Sequence, residues 1–289
     1  MPELPEVTVI VNSLNRKIKG LILDSIEYDW PKKFDWGKFS IKDLKRQKVE
    51  KVERRGKVVL IQLSDKITIL IHLKLTGQLI YQDKRVRIAG GHPIPPLNLA
   101  VPNKTTRVTL TFTSGGHLYF NDIRKFGWVK IVTSDTEQVA RAIGKELGPD
   151  PLVMGYGEFR DRLAKKGQSR IKKLLMDQSF ISGVGNIYSD EALWQAKIHP
   201  KRSAGSLKPE ETKALFAGIQ ESLRLAIEKG GSSASAFVDS GGERGLYLSY
   251  ARAYHMTGKP CVRCKTLIVR EKIDGRSAHF CPSCQKPKA

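Results

Sequence analysis

The chain has 289 residues, 50 Lys+Arg against 29 Asp+Glu, a net charge of +21 and 40% hydrophobic residues. That length suits two domains, each able to bury a core, and so basic a chain of folded-type composition points to a polyanionic partner, with nucleic acid ahead of an anionic membrane surface. With no apolar run of about 18 residues, no secretory h-region and no lipidation signal, the protein is expected to be soluble and intracellular.

The opening stretch MPELPEV sets two prolines and two glutamates ahead of an apolar periodic segment. Two readings are open at this point. Pro in the first turn of a helix is common because its missing N–H would go unpaired there anyway, and termini tolerate change. Alternatively, removal of Met1 leaves Pro2 with a free secondary amine whose pKa lies far below that of a lysine side chain. Such an amine can attack a sugar C1′ or an aldehyde and end as an iminium, an electron sink, with Glu3 beside it to handle protons. Val7, Val9, Ile10, Val11 and Leu14 then predict a helix that runs to Gly20.

From residue 21 to 132 the pattern is strand-like: KVVLIQL, a turn at Ser64-Asp65-Lys66, ITILIHLKL, and RVTLTFTSGGHLYF. In the last piece Val108, Leu110 and Phe112 alternate with Thr109, Thr111 and Thr113, and Gly115-Gly116 stands where a hairpin turn is needed. This part, residues 1–135, reads as a β-sandwich or barrel. Residues 136–155, built around Gly148-Pro149-Asp150-Pro151, cannot sustain one helix and read as a linker. Residues 156–254 are helical in pattern, ending in a long segment after Pro209 where Leu215, Ile219, Leu223 and Ile227 recur every four residues. Glu210 and Glu211 suit its first turn and Gly230-Gly231 its end, and the Ser/Gly-rich piece from Gly230 to Gly245 reads as a mobile loop.

Residues 255–289 hold all the cysteines, as Cys261-x2-Cys264 and Cys281-x2-Cys284 with sixteen residues between the pairs. That spacing predicts one tetrahedral zinc, and because all four ligands are thiolates no position remains for catalysis. Between the pairs, Asp274-Gly275 reads as the tight turn of a hairpin that carries Arg276 at or beside its tip. An arginine so placed suits a phosphate, or is simply solvated. Gly183 and Gly185 deliver Asn186 to a helix start, an anion site or an ordinary N-cap. Upstream, Arg160, Arg162, Lys165, Lys166, Arg170, Lys172 and Lys173 crowd one stretch with a single acid, Asp161.

Taken in order, PELPEV, RRGKVVL, HLKLTGQL, NDIRKFGW, LGPDPL, LMDQSFISGVGNIYSDEALWQAKIHP and GKPCVRC with DGRSAHFCPSCQ resemble the bacterial formamidopyrimidine-DNA glycosylases (Fpg), which share a fold with the endonuclease VIII enzymes. PELPEV is similar to the Fpg branch; the endonuclease VIII branch usually has Gly for the Leu. The resemblance implies an α+β multidomain protein, an N-terminal β-sandwich with an N-terminal helix joined to a helix-two-turn-helix domain with a four-cysteine zinc finger, DNA lying in the cleft between. It implies Pro2 as the nucleophile forming a Schiff base, Glu3 as proton donor to the opening sugar, Lys57 as a DNA contact assisting elimination, and Asn186 and Arg276 as phosphate grips, Arg276 also serving the second elimination. His72 falls on a phosphate-contact position. Glu6 is equally explained by helix-start electrostatics.

Leu75, Arg124 and Phe126 occupy the positions that fill the void left by an extruded base, with Leu75 where the family has Met and Arg107 where it commonly has His. Lys125 and Lys172 are further DNA contacts on this reading, and the segment Ser232–Tyr250 matches the loop covering the damaged base. The function implied is a bifunctional glycosylase and AP lyase acting on oxidised purines in base excision repair. An oxidised-pyrimidine glycosylase of the endonuclease VIII kind and a non-catalytic damaged-DNA-binding protein are the alternatives. The resemblance further implies a cytoplasmic, nucleoid-associated monomer bound to double-stranded DNA with oxidised bases or abasic sites, holding one structural Zn2+.

Overall fold

The apolar stripe after the opening prolines forms helix α1 (Leu4–Ile18), whose Leu4, Val7, Ile10, Val11, Leu14 and Ile18 are buried. Gly20, at a φ of 89°, then turns the chain in a conformation glycine adopts without a Cβ clash. The structure, a computed structural model, describes residues 1–92, 100–144, 147–232 and 245–287. It divides into two units, Met1–Glu146 with Lys229–Gly245, and Leu147–Glu228 with Leu246–Ala289.

Among the described residues of the first unit, ten strands form two five-stranded sheets. One runs in the order β1 (Leu23–Tyr28), β8 (Thr106–Phe112), β9 (His117–Asp122), β6 (Gly77–Gln82), β7 (Arg87–Gly91). The other runs β2 (Phe34–Asp35), β10 (Trp128–Thr133), β5 (Ile67–His72), β4 (Val58–Leu63), β3 (Val49–Arg55). Neighbours are antiparallel except β2 and β10. The expected turn Ser64-Asp65-Lys66 is there between the paired Leu63 and Ile67, with Asp65 and Lys66 left-handed at φ 54° and 56°. Val108, Leu110 and Phe112 point inward as their alternation with threonine predicts, and meet Val59, Ile61, Ile69 and Ile71 of the facing sheet and the stripe of α1 in one core. The fold is therefore a sandwich with α1 packed into it.

The predicted linker is corrected in its first half. Asp135 accepts hydrogen bonds from the backbone N–H groups of Glu137 and Gln138 and caps helix α3 (Thr136–Ile143). Val139, Ala142 and Ile143 of that helix pack on Val58, Leu60 and Leu70, so α3 covers the outer face of the second sheet. Val139 and Ile143 are four apart, the helical signal that the Gly-Pro cluster downstream obscured.

The second unit contains α4 (Tyr156–Ala164), α5 (Ile171–Leu175), α6 (Asn186–Gln195), α7 (Pro209–Glu228), α8 (Tyr247–Tyr250) and the hairpin β11 (Val269–Ile273) and β12 (Arg276–Phe280). Leu215, Ile219 and Leu223 of α7 are fully buried, as their spacing predicts. Gly218 lets α7 approach α6, since a Cβ there would lie 3.1 Å from the Ala192 carbonyl oxygen. Of the expected loop Gly230–Gly245, residues 233–244 lie outside the described residues.

One buried carboxylate joins three of these elements. Asp190 on α6 accepts from Lys172 Nζ of α5 at 2.5 Å and from the His279 backbone N–H of β12 at 3.0 Å, with His279 Nδ1 at 2.9 Å. Lys172 and Asp190 are each 1% exposed, so the expectation that Lys172 contacts DNA is corrected. It lies on the buried face of α5 with Ile171, Leu174 and Leu175, and only its neighbour Lys173 belongs to the exposed basic run. Asp190→Ala should leave the Lys172 ammonium buried without its counter-ion and cost about 3–5 kcal/mol. Lys173→Ala should stay within about 0.5 kcal/mol of the parent. Equilibrium denaturation of the two variants checks this, and equal losses would contradict it.

Candidate functional site

At the head of α1 the two glutamates cap each other. Glu6 Oε2 accepts from the Glu3 backbone N–H at 2.8 Å, and the Glu3 side chain accepts from the Glu6 backbone N–H. Pro2, Glu3 and Glu6 are all buried. Glu6 Oε1 also accepts from the Ser232 backbone N–H at 2.8 Å and from Ser232 Oγ at 3.0 Å. Glu6 therefore ties the helix start to the residue at which the segment after α7 begins. The capping pattern was visible in the sequence; a partner so far along the chain was not.

Lys57, buried in the turn between β3 and β4 behind Gly56 at φ 57°, belongs to the same site. The α-amino group of Met1 is pushed below its ordinary 8.0, first by burial and also by the Lys57 ammonium, while Glu3 and Glu6 pull the other way. The chain start, two carboxylates and one ammonium thus share a largely desolvated place.

His72 ends β5 and its Nδ1 accepts from the Lys74 backbone N–H at 2.9 Å. Burial first, then Lys74 and Lys57, push the imidazole down to about 3. It is therefore neutral near pH 7, with Nδ1 engaged as acceptor and Nε2 left as the N–H donor to an incoming anion. Leu75 stands in the next turn, 36% exposed, and Phe126 in the turn between β9 and β10, 45% exposed, with the Arg124 guanidinium 4.6 Å from its ring centroid. Lys125 is exposed beside them.

A single residue holds both turns. Asp122, fully buried, accepts from Thr76 Oγ1, from the Arg124 backbone N–H at 3.2 Å and from the Gly127 backbone N–H at 2.7 Å. Gly127 has no room for a side chain, since a Cβ there would sit 2.5 Å from the Phe120 ring. Exposed apolar side chains on stiff turns are what insertion into a base stack requires. Arg107 differs from expectation. It is 7% exposed, and its guanidinium binds Asp29 Oδ2 at 2.6 Å, the Asp122 carbonyl at 3.0 Å and the Lys104 carbonyl at 3.0 Å. That corrects its expected role as a DNA contact: it braces the end of the sandwich.

In the second unit Asn186 opens α6, and its buried Oδ1 makes no hydrogen bond. The approach is fixed by Gln178, which accepts from the Gly183 backbone N–H at 2.9 Å and donates to the Val184 carbonyl at 2.8 Å. Arg276 follows the Asp274-Gly275 turn, where φ is 48° and 79°, and with Lys173, Met176 and Asp177 lines a cleft of about 330 Å³. Arg170 steadies that turn through Asp274 at 2.9 Å. Arg276 thus presents an exposed guanidinium on a hairpin turn that Arg170 and Asp274 hold.

The sulfurs of Cys261, Cys264, Cys281 and Cys284 lie within 4.8 Å of one another. A tetrahedron with Zn–S bonds of about 2.3 Å has edges of about 3.8 Å, so the cluster fits a zinc ion. Thr266 first, through its hydroxyl and its backbone, holds the Cys264 thiol down to about 6. Burial and the neighbouring sulfurs push Cys284 up to about 12. Four thiolates this close repel one another, and a divalent cation removes that repulsion.

Family models match the chain along most of its length: the formamidopyrimidine-DNA glycosylase N-terminal domain over residues 1–129, the H2TH domain of the same glycosylases over 147–238, and a zinc finger found in FPG and IleRS over 258–287. The formamidopyrimidine-DNA glycosylase of Pelotomaculum thermopropionicum is 38% identical over 291 residues, covering 100% of both chains. That of Enterococcus faecalis is 36% identical over 292 residues, covering 100% of this chain and 98% of its own. Among solved structures, Lactococcus lactis Fpg bound to DNA with an abasic site aligns with a TM-score of 0.84 at 31% identity, over 99% of this chain and 100% of that one. MutM with DNA containing carbocyclic 8-oxo-G aligns with a TM-score of 0.83 at 32% identity, over the same shares.

The four cysteines thus hold one structural zinc. Cys281→Ser should lower metal content and strip amide-exchange protection from the hairpin 269–280, leaving the first unit protected; full protection in verified metal-free protein would contradict it. For His72, a folded pKa of about 3 against an ordinary 6.5 means that the unfolded chain takes up the proton first. Its contribution is complete above pH 6.5 and is lost as pH falls toward 3. The thermal midpoint of the parent should therefore drop more steeply than that of His72→Gln across this window; parallel profiles would contradict a buried neutral imidazole.

Proposed function

Because the chain belongs to the formamidopyrimidine-DNA glycosylase family, we propose that it is a bifunctional glycosylase and AP lyase that removes oxidised purines, 8-oxoguanine and ring-opened formamidopyrimidines, from duplex DNA. The observation that carries this reading is the desolvated chain start, where a terminal amine of lowered pKa stands with Glu3, Glu6 and Lys57. The substrate class rests on relatives: Lactococcus lactis Fpg has been solved with DNA containing Fapy-dG, and MutM with DNA containing carbocyclic 8-oxo-G.

With Met1 removed, the Pro2 nitrogen becomes the terminal amine. It attacks C1′ as the bond from C1′ to the base breaks, and the base leaves with a proton. Glu3 protonates O4′ as the sugar ring opens, giving a C1′ iminium on Pro2. The iminium acidifies the C2′ proton, whose loss expels the 3′ phosphate. A second proton loss at C4′ expels the 5′ phosphate, and water then hydrolyses the Schiff base. Lys57 steadies the phosphate beside the reacting sugar, His72 donates Nε2–H to a phosphate, and Asn186 and Arg276 grip the backbone. Leu75, Arg124, Lys125 and Phe126 occupy and line the gap that the extruded nucleotide leaves. The zinc takes no part in the chemistry and holds the hairpin that carries Arg276.

Borohydride reduction during turnover tests the mechanism. Protein lacking Met1, incubated with abasic or 8-oxoguanine duplex, should become joined to DNA through residue 2, and acetylation of that terminus should abolish both adduct and cleavage. Glu3→Gln should slow base excision by about 100-fold or more while sparing much of the reaction at a preformed abasic site. An adduct mapped to Lys57, with the blocked terminus still active, would overturn the mechanism. Thymine glycol removed faster than 8-oxoguanine would overturn the substrate class.

A further inference from the structure

Outside the residues discussed so far, the first unit carries a cleft of about 610 Å³ between the residues preceding and following β2, the strand β10 and the end of α3. Its rim is cationic, with Lys32 and Lys33 exposed and Lys130 half-buried. Its walls are aromatic, Phe34, Trp36 and Trp128, and its one acid is Asp35. The walls are held firmly. Phe34 stacks on Tyr28 at 4.4 Å between ring centroids, Trp36 Nε1 donates to the Tyr28 hydroxyl at 3.3 Å, and Lys130 Nζ donates to the Ala142 carbonyl at 2.8 Å. Gly37, at a φ of 57°, presses its loop against β10, where a Cβ would meet the Ile131 carbonyl oxygen at 2.8 Å.

The sheet register places this cleft in line with the proposed reaction site. Val58, the residue after Lys57, pairs with His72, His72 with Trp128, and Val129 with Phe34. One end of the sheet thus presents Lys57, His72, Trp128 and then Lys32 and Lys33, and the His72 and Trp128 rings lie 5.6 Å apart. Three inter-strand spacings of about 4.8 Å carry the row roughly 14 Å from β4 to β2. That is a reach of a few successive phosphates of one DNA strand.

We propose that this cleft is an accessory subsite for the backbone of the DNA flanking the lesion, in which Lys32 and Lys33 take phosphates a few nucleotides from the one beside Lys57 and the aromatic walls face the sugars between them. The proposal rests on the DNA-processing reading of the first unit and extends its footprint. Two lysines on a rim supply the charge that a phosphodiester needs.

The test uses the full-length zinc-loaded protein and the Lys32→Ala/Lys33→Ala variant, both lysines being exposed. Binding to a long abasic-site duplex is measured against salt, and then with single neutral methylphosphonates scanned along both strands. Loss of two phosphate contacts should flatten the slope of log K against log salt by about 1.8. A methylphosphonate at one position a few nucleotides from the lesion should weaken the parent several-fold and leave the variant unchanged. Equal slopes, or no position at which the methylphosphonate and the lysine substitutions cancel, would overturn the proposal. Borohydride trapping at saturating protein should be the same for both proteins, so a failure of the subsite is distinguishable from a failure of the glycosylase reading.

Discussion

A carboxylate shut off from water has to be matched by donors on its exposed lone pairs or the fold pays for its charge. Glu6 is 4% exposed and is matched by the Glu3 backbone, by Ser232 through both backbone and hydroxyl, and by its place in the first turn of α1. That requirement fixes the chain start. A terminus that would otherwise fray is pinned by reciprocal caps, its neighbours Leu4 and Val7 are locked in the core, and its amine is kept beside Lys57 where burial lowers its pKa. The chemistry proposed for Pro2 follows from that confinement, because a nucleophile is useful only where it is both unprotonated and held in place.

The same device recurs wherever a segment proposed to meet DNA must be stiff. Asp122 joins the turn of Leu75 to the turn of Arg124 and Phe126, and Asp190 joins α5 and α6 to the strand that starts at Arg276. Glu191, next to Asp190, accepts from three successive backbone N–H groups at Arg252, Ala253 and Tyr254 and fixes the approach to the zinc finger. Burial pushes the Glu191 carboxyl up, and those three donors work against the shift. Each of these acids is a poor source of stability compared with an apolar residue of its size, but each specifies one geometry for a loop whose side chains face outward.

Most of the architecture was legible in the sequence because it rests on short-range rules. The alternation around Val108, the Asp274-Gly275 turn, the four-residue spacing from Leu215 and the paired cysteines each encode their element locally. Features decided by distant partners were not legible. Lys172 looked like any other member of a basic run until Asp190 met it from the next helix, and Arg107 looked available until Asp29 and the Asp122 carbonyl claimed it. The helix over 136–143 was hidden by the prolines behind it. Glu6 advertised its cap and concealed its bond to Ser232, and the cleft around Trp36 and Trp128 arises from a parallel pairing of β2 with β10 that no short motif announces.

A terminal amine whose pKa burial lowers against the pull of Glu3 and Glu6, with Lys57 adding to the shift, is more often unprotonated near neutral pH and so a better nucleophile. The most direct measurement is the pKa of the Pro2 nitrogen in protein lacking Met1, followed by NMR with isotope-labelled proline, in the native state and again in urea. Taking the same amine in both states removes any dependence on a reference compound. The native value should lie clearly below the value in urea and move toward it when Lys57 is replaced by Gln. A native value equal to or above that in urea would contradict a desolvated terminal amine.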